Sequence, residues 1–194
     1  KIVDHYTYTL IGEGCLMEGV SSEASSLAGT LKLGKLIAFY DQNKISIDGS
    51  TDIAFAEDVE KRYLAYGWQV LKGSMYNMSD IISLVEQAKK DDRPTLIMLK
   101  STIGQGAPTV AGTAKAHGAP LGAEGIAAAK ANLGIPANEE FYIAKESKDT
   151  KPAKVKADKK RIVTEFKDSI LEKMQKEGVI EGLSLHHPFQ LIPE

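Results

Sequence analysis

Two segments of the sequence place oxygen-bearing side chains just after apolar runs that predict strands. Glu13 lies between Gly12 and Gly14, and Asn43 follows 30 residues further along the chain. Carboxylate and amide oxygens are the ligands that Mg²⁺ and Ca²⁺ take in proteins, usually together with phosphate and water oxygens. The pair is therefore a candidate site for a divalent metal that holds a diphosphate.

The glycines around Glu13 favour the same interpretation. Without a Cβ atom they let the backbone approach a ligand closely, and a helix N-terminus that follows presents N–H groups to phosphate. A bare Gly-x-Gly turn is nevertheless a weak motif. A tight turn with Glu13 as a surface charge and Asn43 capping its own loop accounts for the same residues.

The elements that position these residues alternate between strand and helix patterns. Apolar runs predict strands at residues 6–11, 36–40, 68–71 and 95–100, and helical spacing predicts helices at residues 18–33, 56–66, 79–90, 122–133 and 138–146. We expect the first strand to be buried and the first helix to end at Gly34. This order predicts an α/β fold with a mostly parallel sheet flanked by helices. Ligands gather at the carboxyl ends of such strands, where Glu13, Asn43 and residues 101–104 all lie.

The composition predicts three segments. Residues 1–144 form the core of the domain, residues 145–161 are a charged linker with few large apolar side chains, and residues 162–194 form an amphipathic helix and tail.

The overall charge and hydropathy narrow the possible partners. The net charge of −2 gives no general attraction to nucleic acid, and no apolar run approaches the roughly 20 residues of a membrane-spanning helix. A single cysteine, Cys15, indicates a reducing compartment, and we expect it to be buried and inert. The first residues contain neither a signal peptide nor a Met, so we expect a cytoplasmic protein whose chain begins inside a longer polypeptide.

Five ordered segments resemble the transketolases, a family of thiamine-diphosphate-dependent enzymes. They are GEGCLMEGVSSEASSLAG at 12–29, LKLGKLIAFYDQNKISIDG at 31–49, RY with AYGW at 62–68, TIGQG at 102–106 and HGAPLG at 117–122. The resemblance covers roughly residues 3–142. It implies that the chain is part of the diphosphate-binding domain, a thiamine-diphosphate-binding module that is incomplete at its N-terminus.

The resemblance also implies a metal and cofactor site. Glu13 matches the acidic ligand of the family's Gly-Asp-Gly motif, Asn43 the second side-chain ligand and Ile45 a backbone carbonyl ligand. Gly14 matches the backbone donor to the diphosphate, and Gly12 lies on the same cofactor-binding turn. The implied cofactors are thiamine diphosphate with Mg²⁺ or Ca²⁺.

Four further residues receive roles from the same resemblance. Glu18 matches a glutamate at the subunit interface near the cofactor, where facing carboxylates share a proton. Ile47 and Ile103 match apolar residues around the cofactor rings. His117 matches a histidine beside the diphosphate and the reacting end of the substrate, so His117 and Glu18 are the candidate catalytic residues.

The sequence departs from the family pattern in ways that bear on function. Glu13 stands where the family has Asp, and the extra methylene group is expected to disturb Mg²⁺ more than Ca²⁺. Ala114 stands where the family often has a second histidine. The segment that precedes Val3 in the family is missing from this sequence, as is the second domain, from which a partner subunit supplies the glutamate that activates the cofactor.

The function implied is the transfer of a two-carbon ketol unit between sugar phosphates, as in the pentose phosphate pathway. The active form would be a homodimer or a complex with a chain that supplies the pyrimidine-side domain. Two alternatives remain: a related thiamine-diphosphate synthase, and a split or truncated subunit that binds cofactor without catalysis. A nicotinamide dehydrogenase is disfavoured, because Gly12, Gly14 and Gly19 lack the required spacing.

Overall fold

The computed structural model describes residues 4–148 of the chain. His5–Tyr142 forms one compact unit, and Asp4 and residues 143–148 belong to a second. Of the predicted linker at 145–161, only the first four residues are described, and they form a short helix. The helix and tail predicted at 162–194 lie outside the described residues.

Short strands and helices alternate along the described part. The strands are β1 (Thr7–Ile11), β2 (Leu36–Gln42), β3 (Ile45–Ser46), β4 (Gly49–Ser50), β5 (Gln69–Ser74) and β6 (Thr95–Lys100). The α-helices are α1 (Glu13–Met17), α2 (Gly19–Thr30), α3 (Val59–Ala65), α4 (Met78–Ala88), α5 (Gly122–Leu133) and α6 (Lys145–Lys148), and 3-10 helices cover Thr51–Ile53 and Ala114–His117. No helix in this part of the chain is both long and apolar enough to cross a membrane.

Four strands form a parallel sheet in the order β1-β2-β6-β5. Ile11 lies opposite Tyr40, and Tyr40 lies opposite Met98, so the carboxyl ends of β1, β2 and β6 meet at one edge. Strands β3 and β4 form a separate antiparallel hairpin just beyond that edge. The predicted α/β fold with a mostly parallel sheet flanked by helices is confirmed.

The central strands bury side chains on both faces, as the continuous apolar runs predict. Leu96 and Met98 of β6 pack with α2 and α3 residues in one cluster, and Ile97 and Leu99 pack with Ala88 of α4 in the other. Successive residues of a strand point to opposite faces, so β6 divides the two cores.

The first strand is not buried as expected. β1 is an edge strand of the described sheet, and Tyr8 and Leu10 have exposed fractions of 48% and 81%. An edge strand has a neighbouring strand on one side only. An apolar run in the sequence does not distinguish an edge strand from a central one.

One predicted helix end and one predicted helix were also wrong. Helix α2 ends at Thr30 rather than near Gly34, because Lys32 adopts the left-handed conformation (φ 49°). The amides of Lys32 and Leu33 then bond the carbonyls of Gly29 and Ala28, both at 3.1 Å, and close the helix. The helix predicted at residues 138–146 is absent apart from its last two positions, which lie in α6.

Candidate metal and diphosphate site

Glu13 is the first residue of α1 and lies at the carboxyl edge of the sheet. Gly12 precedes it in an extended conformation (φ −110°, ψ −174°), so the chain turns directly from β1 into the helix. The Glu13 side chain is 4% exposed. The alternative of a surface charge at this position is therefore wrong.

Both carboxylate oxygens of Glu13 accept hydrogen bonds. The Tyr40 hydroxyl donates to Oε2, and the backbone N–H of Lys44 donates to Oε1 at 2.6 Å. These donors come from the end of β2 and from the loop that follows it. The carboxylate thus joins the first two strands at their carboxyl ends.

Tyr40 is held as a neutral donor in this contact. Burial raises the pKa of its hydroxyl far above the usual range, and the adjacent Glu13 carboxylate raises that pKa further. Desolvation disfavours the phenolate, and so does a neighbouring negative charge. Tyr40 consequently keeps its proton and donates to the Glu13 carboxylate at neutral pH.

Asn43 bonds to its own loop. Its Oδ1 accepts from the backbone N–H of Ile45 at 2.9 Å, which is the local capping role considered as an alternative. The preceding amide, that of Lys44, is the one that binds Glu13. Two consecutive backbone amides therefore bring the oxygens of Glu13 and Asn43 to the same turn.

This donor set fits a hard divalent metal. An ionised carboxylate has about four lone-pair sites and an amide oxygen has two, so Glu13 and Asn43 both keep acceptor capacity beyond the bonds described. Within residues 4–148 no group of three or more His, Cys, Asp or Glu side chains could hold a metal. A metal ion here would depend on one carboxylate, neutral oxygens and ligand phosphates, an arrangement that Mg²⁺ often uses.

The glycines flanking Glu13 leave room beside the backbone. A Cβ atom placed on Gly12 or Gly14 would meet nothing within 4 Å, and Gly14 is exposed. The turn leads into a short helix that the sequence pattern did not predict, since α1 has only five residues and Glu18 separates it from the predicted helix α2. The open backbone at Gly14, rather than a long helix dipole, is the feature suited to a phosphate.

The other predicted site residues lie on loops and helix ends and differ in exposure. His117 is exposed at the end of the 3-10 helix Ala114–His117, which contacts β3. Ile47 is 71% exposed in the turn between β3 and β4, and Ile103 is half-buried in the loop after β6. Glu18 is exposed at the junction of α1 and α2.

Cys15 is exposed, contrary to the expected burial. It lies on the outer side of α1. Its position follows from the short helix, which turns Glu13 and Leu16 inwards and leaves Cys15 outside.

Sequence reasoning missed Tyr40. A signal was present, because a buried tyrosine needs a partner for its hydroxyl and Tyr40 ends an otherwise apolar strand. Tyr40 pairs across the sheet with Ile11, which precedes Glu13 by two residues, but that register is known only from the structure.

A cavity of about 340 Å³ lies beside the Glu13–Tyr40 pair. Its wall includes Gln42 and Lys44 after β2, Lys100 at the end of β6 and residues 55–60 before and within α3. The volume is at the lower end of the range for small-molecule pockets.

Comparison with known proteins identifies the domain type. Residues 1–184 match the family model described as "Transketolase, thiamine diphosphate binding domain". A transketolase of Treponema pallidum is 66% identical over 145 residues, covering 75% of this chain and 22% of the relative. Transketolase 2 of Aliivibrio fischeri is 54% identical over 161 residues, covering 79% of this chain and 24% of the relative.

Solved structures of transketolases have the same fold. The Campylobacter jejuni enzyme superposes with a TM-score of 0.80 at 41% identity, covering 92% of this chain and 28% of that one. A Pichia stipitis variant in complex with fructose-6-phosphate gives a TM-score of 0.77 at 46% identity, covering 90% of this chain and 26% of that one. The chain thus spans about a quarter of the length of the proteins that it matches.

Proposed function

Because the chain belongs to the transketolase family and matches its thiamine diphosphate binding domain, we propose that it forms the diphosphate and metal side of a ketol-transferring enzyme. The reaction would move a two-carbon ketol unit between sugar phosphates. The observation that carries this proposal is the shared turn at residues 43–45, where consecutive amides bring Glu13 and Asn43 together.

Glu13 and Asn43 would hold the metal through their side-chain oxygens, and Ile45 through its carbonyl. The metal would in turn bind the diphosphate of the cofactor, because a single carboxylate leaves most coordination positions to other oxygens. Mg²⁺ or Ca²⁺ suits this donor set. We favour Ca²⁺ for the Glu13 site, since Ca²⁺ accepts longer and less regular coordination than Mg²⁺.

Gly12 and Gly14 would place backbone N–H groups against the diphosphate. Open space beside both residues supports this role. His117, exposed on a helix that contacts β3, would donate to the phosphate or orient a substrate oxygen. Ile47 and Ile103 would cover the apolar rings of the cofactor.

Bound thiamine diphosphate would supply the carbon nucleophile that takes up the ketol unit. The chain's own part is to anchor the cofactor, orient it and exclude water from it. Glu18 would face a partner subunit, where its carboxylate would share a proton with a second carboxylate. The partner would be a second copy or a chain that carries the pyrimidine-side domain, and the complex would act in the cytoplasm.

The test is calorimetric titration of the chain with thiamine diphosphate, alone and mixed with the pyrimidine-side domain of a transketolase. We expect binding with Mg²⁺ or Ca²⁺ and none with chelator. We expect ketol transfer from xylulose phosphate to ribose phosphate only in the mixture. Metal-dependent binding without transfer would favour a non-catalytic binding module, and the absence of binding in both samples would refute the proposed function.

A further inference from the structure

Arg62 is a largely enclosed cation beneath the turn that carries Glu13. It lies on α3, and its side chain is 18% exposed. Its Nη1 and Nη2 both donate to the backbone carbonyl of Leu16 at 3.2 Å, and Nη1 also lies 3.4 Å from the Ser22 hydroxyl. A single guanidinium therefore reaches the last turn of α1 and the first turns of α2.

Arg62 binds a backbone carbonyl at the C-terminal end of a short helix. The last carbonyls of a helix have no partner within the helix, and α1 is only five residues long. Of these carbonyls, Leu16 accepts from Arg62, and Cys15 accepts from the Ser21 hydroxyl. Two side chains, those of Arg62 and Ser21, therefore bind backbone carbonyls just before Glu18.

Arg62 is itself fixed by its surroundings. Its Nη1 pairs with Glu57 Oε1 at 2.7 Å, and its guanidinium lies 5.5 Å from the centre of the Phe55 ring and 5.8 Å from that of Tyr63. Stacking and pairing of this kind restrict the planar fork to one orientation. The hold on Leu16 is accordingly rigid.

We propose that Arg62 is a positioning residue for the segment from Glu13 to Glu18. Its contact with the Leu16 carbonyl would fix the backbone that carries the carboxylates of Glu13 and Glu18. This inference rests on the proposed function only for the roles of those carboxylates. Arg62 would not touch metal or cofactor. Without it, the Leu16 carbonyl loses its donor at the C-terminal end of α1. The contacts of the Glu13 carboxylate and the Ser21 contact with the Cys15 carbonyl remain.

The test uses the variants Arg62→Met and Arg62→Lys, with Lys61→Met as the control. Lys61 is the adjacent residue on α3, its side chain is 82% exposed, and its Nζ pairs with Asp58 Oδ2 at 3.0 Å. The first readout is hydrogen exchange of the whole chain without ligand. In Arg62→Met we expect amides of residues 17–22 to exchange at least about tenfold faster, because bonds to charged groups are lost there. Amides of β6 should be unchanged.

The second readout is the affinity for thiamine diphosphate with Ca²⁺, measured in the same mixture as above. We expect it to fall about tenfold or more in Arg62→Met, as when the supporting partners of metal ligands are removed. The affinity of Arg62→Lys should lie between those of the parent and Arg62→Met. One ammonium keeps the charge but cannot make two bonds to Leu16 and also pair with Glu57. Lys61→Met should match the parent.

Three results would overturn the proposal. They are unchanged exchange at residues 17–22, faster exchange throughout the chain including β6, and local loosening without any change of affinity. If the parent itself binds no cofactor, the proposed function fails, and the exchange data alone decide whether Arg62 holds the segment.

Discussion

The Tyr40 hydroxyl donates a hydrogen bond to Oε2 of Glu13, and the two side chains are 2% and 4% exposed. This contact explains how a glutamate fits where the resemblance leads one to expect an aspartate. The longer side chain spans from α1 to the end of β2 and is held there by a neutral, buried donor. A carboxylate fixed in this way would be pre-oriented for the proposed metal, which would bind its free lone pairs.

Removing the Tyr40 hydroxyl should weaken the fold. In Tyr40→Phe, a buried oxygen of Glu13 loses its donor, which costs about 1–3 kcal/mol in the free energy of unfolding. Urea denaturation measures this loss. Tyr66→Phe is the control, because the Tyr66 hydroxyl makes no hydrogen bond within the described part of the chain.

The same pair permits a double-mutant cycle. Glu13→Ala together with Tyr40→Phe should cost less free energy of unfolding than the two single changes added, because each removes the same contact. Additive losses, or a Tyr40→Phe loss no larger than that of Tyr66→Phe, would show that the hydroxyl does not support Glu13.

Alkaline titration should separate the buried tyrosines from the rest. The chain has seven tyrosines, and burial raises the pKa of Tyr40 and Tyr63 above the usual range. A raised pKa in the folded state means that stability is complete below the unfolded pKa of about 10 and is lost as the pH rises above it. Tyrosinate absorbance of the folded chain should therefore show two groups, Tyr40 and Tyr63, that ionise at higher pH than an unperturbed tyrosine.

Tyr40→Phe should halve the absorbance amplitude of that late step. If all tyrosines ionise before the far-ultraviolet circular dichroism signal is lost, the buried contact is absent in solution.

Much of the fold follows from local pattern. The continuous apolar run at Thr95–Lys100 and the small-residue helix at Gly122–Leu133 have the predicted boundaries, because a proline or glycine sets the start of each. The end of α2 could not be predicted, since a lysine takes the left-handed position at Lys32 that glycine usually occupies. The exposure of Leu10 likewise depends on strand order, which a single sequence does not give.

The proximity of Glu13 and Asn43 was predictable for a similar reason. Strand ends identified Glu13 and Asn43, because parallel strands place their carboxyl ends at one edge. Tyr40 and Arg62 contact that edge through register and helix packing, with 27 and 46 residues separating the partners in sequence. No local pattern records such contacts.

Close packing of α2 predicts that Gly29→Ala is destabilising. A Cβ atom there would lie 1.8 Å from the backbone oxygen of Tyr66, so the helix must shift. Overpacking of this kind costs about 1–3 kcal/mol, readable as a lower urea midpoint. Gly19→Ala in the same helix is the matched control, since its Cβ would meet nothing within 4 Å. Equal midpoints for the two variants would contradict the packing.

Gly14→Ala should separate stability from cofactor binding. Its Cβ would meet nothing within 4 Å among residues 4–148. Alanine favours a helix over glycine by about 0.5–1 kcal/mol, so the free energy of unfolding should be unchanged or higher. Affinity for thiamine diphosphate should nonetheless fall, because the methyl group keeps the diphosphate from the backbone. Unchanged affinity would remove Gly14 from the site.

The central claim is that Glu13 holds a metal against the diphosphate. It is tested most directly by calorimetric titration of thiamine diphosphate, at varied Mg²⁺ and Ca²⁺, into parent, Glu13→Gln and Glu13→Asp chains mixed with a pyrimidine-side domain. We predict tighter binding with Ca²⁺ than with Mg²⁺ in the parent, loss of the metal dependence in Glu13→Gln, and stronger Mg²⁺-dependent binding in Glu13→Asp. Metal dependence that is the same in the parent and in Glu13→Gln would contradict the claim.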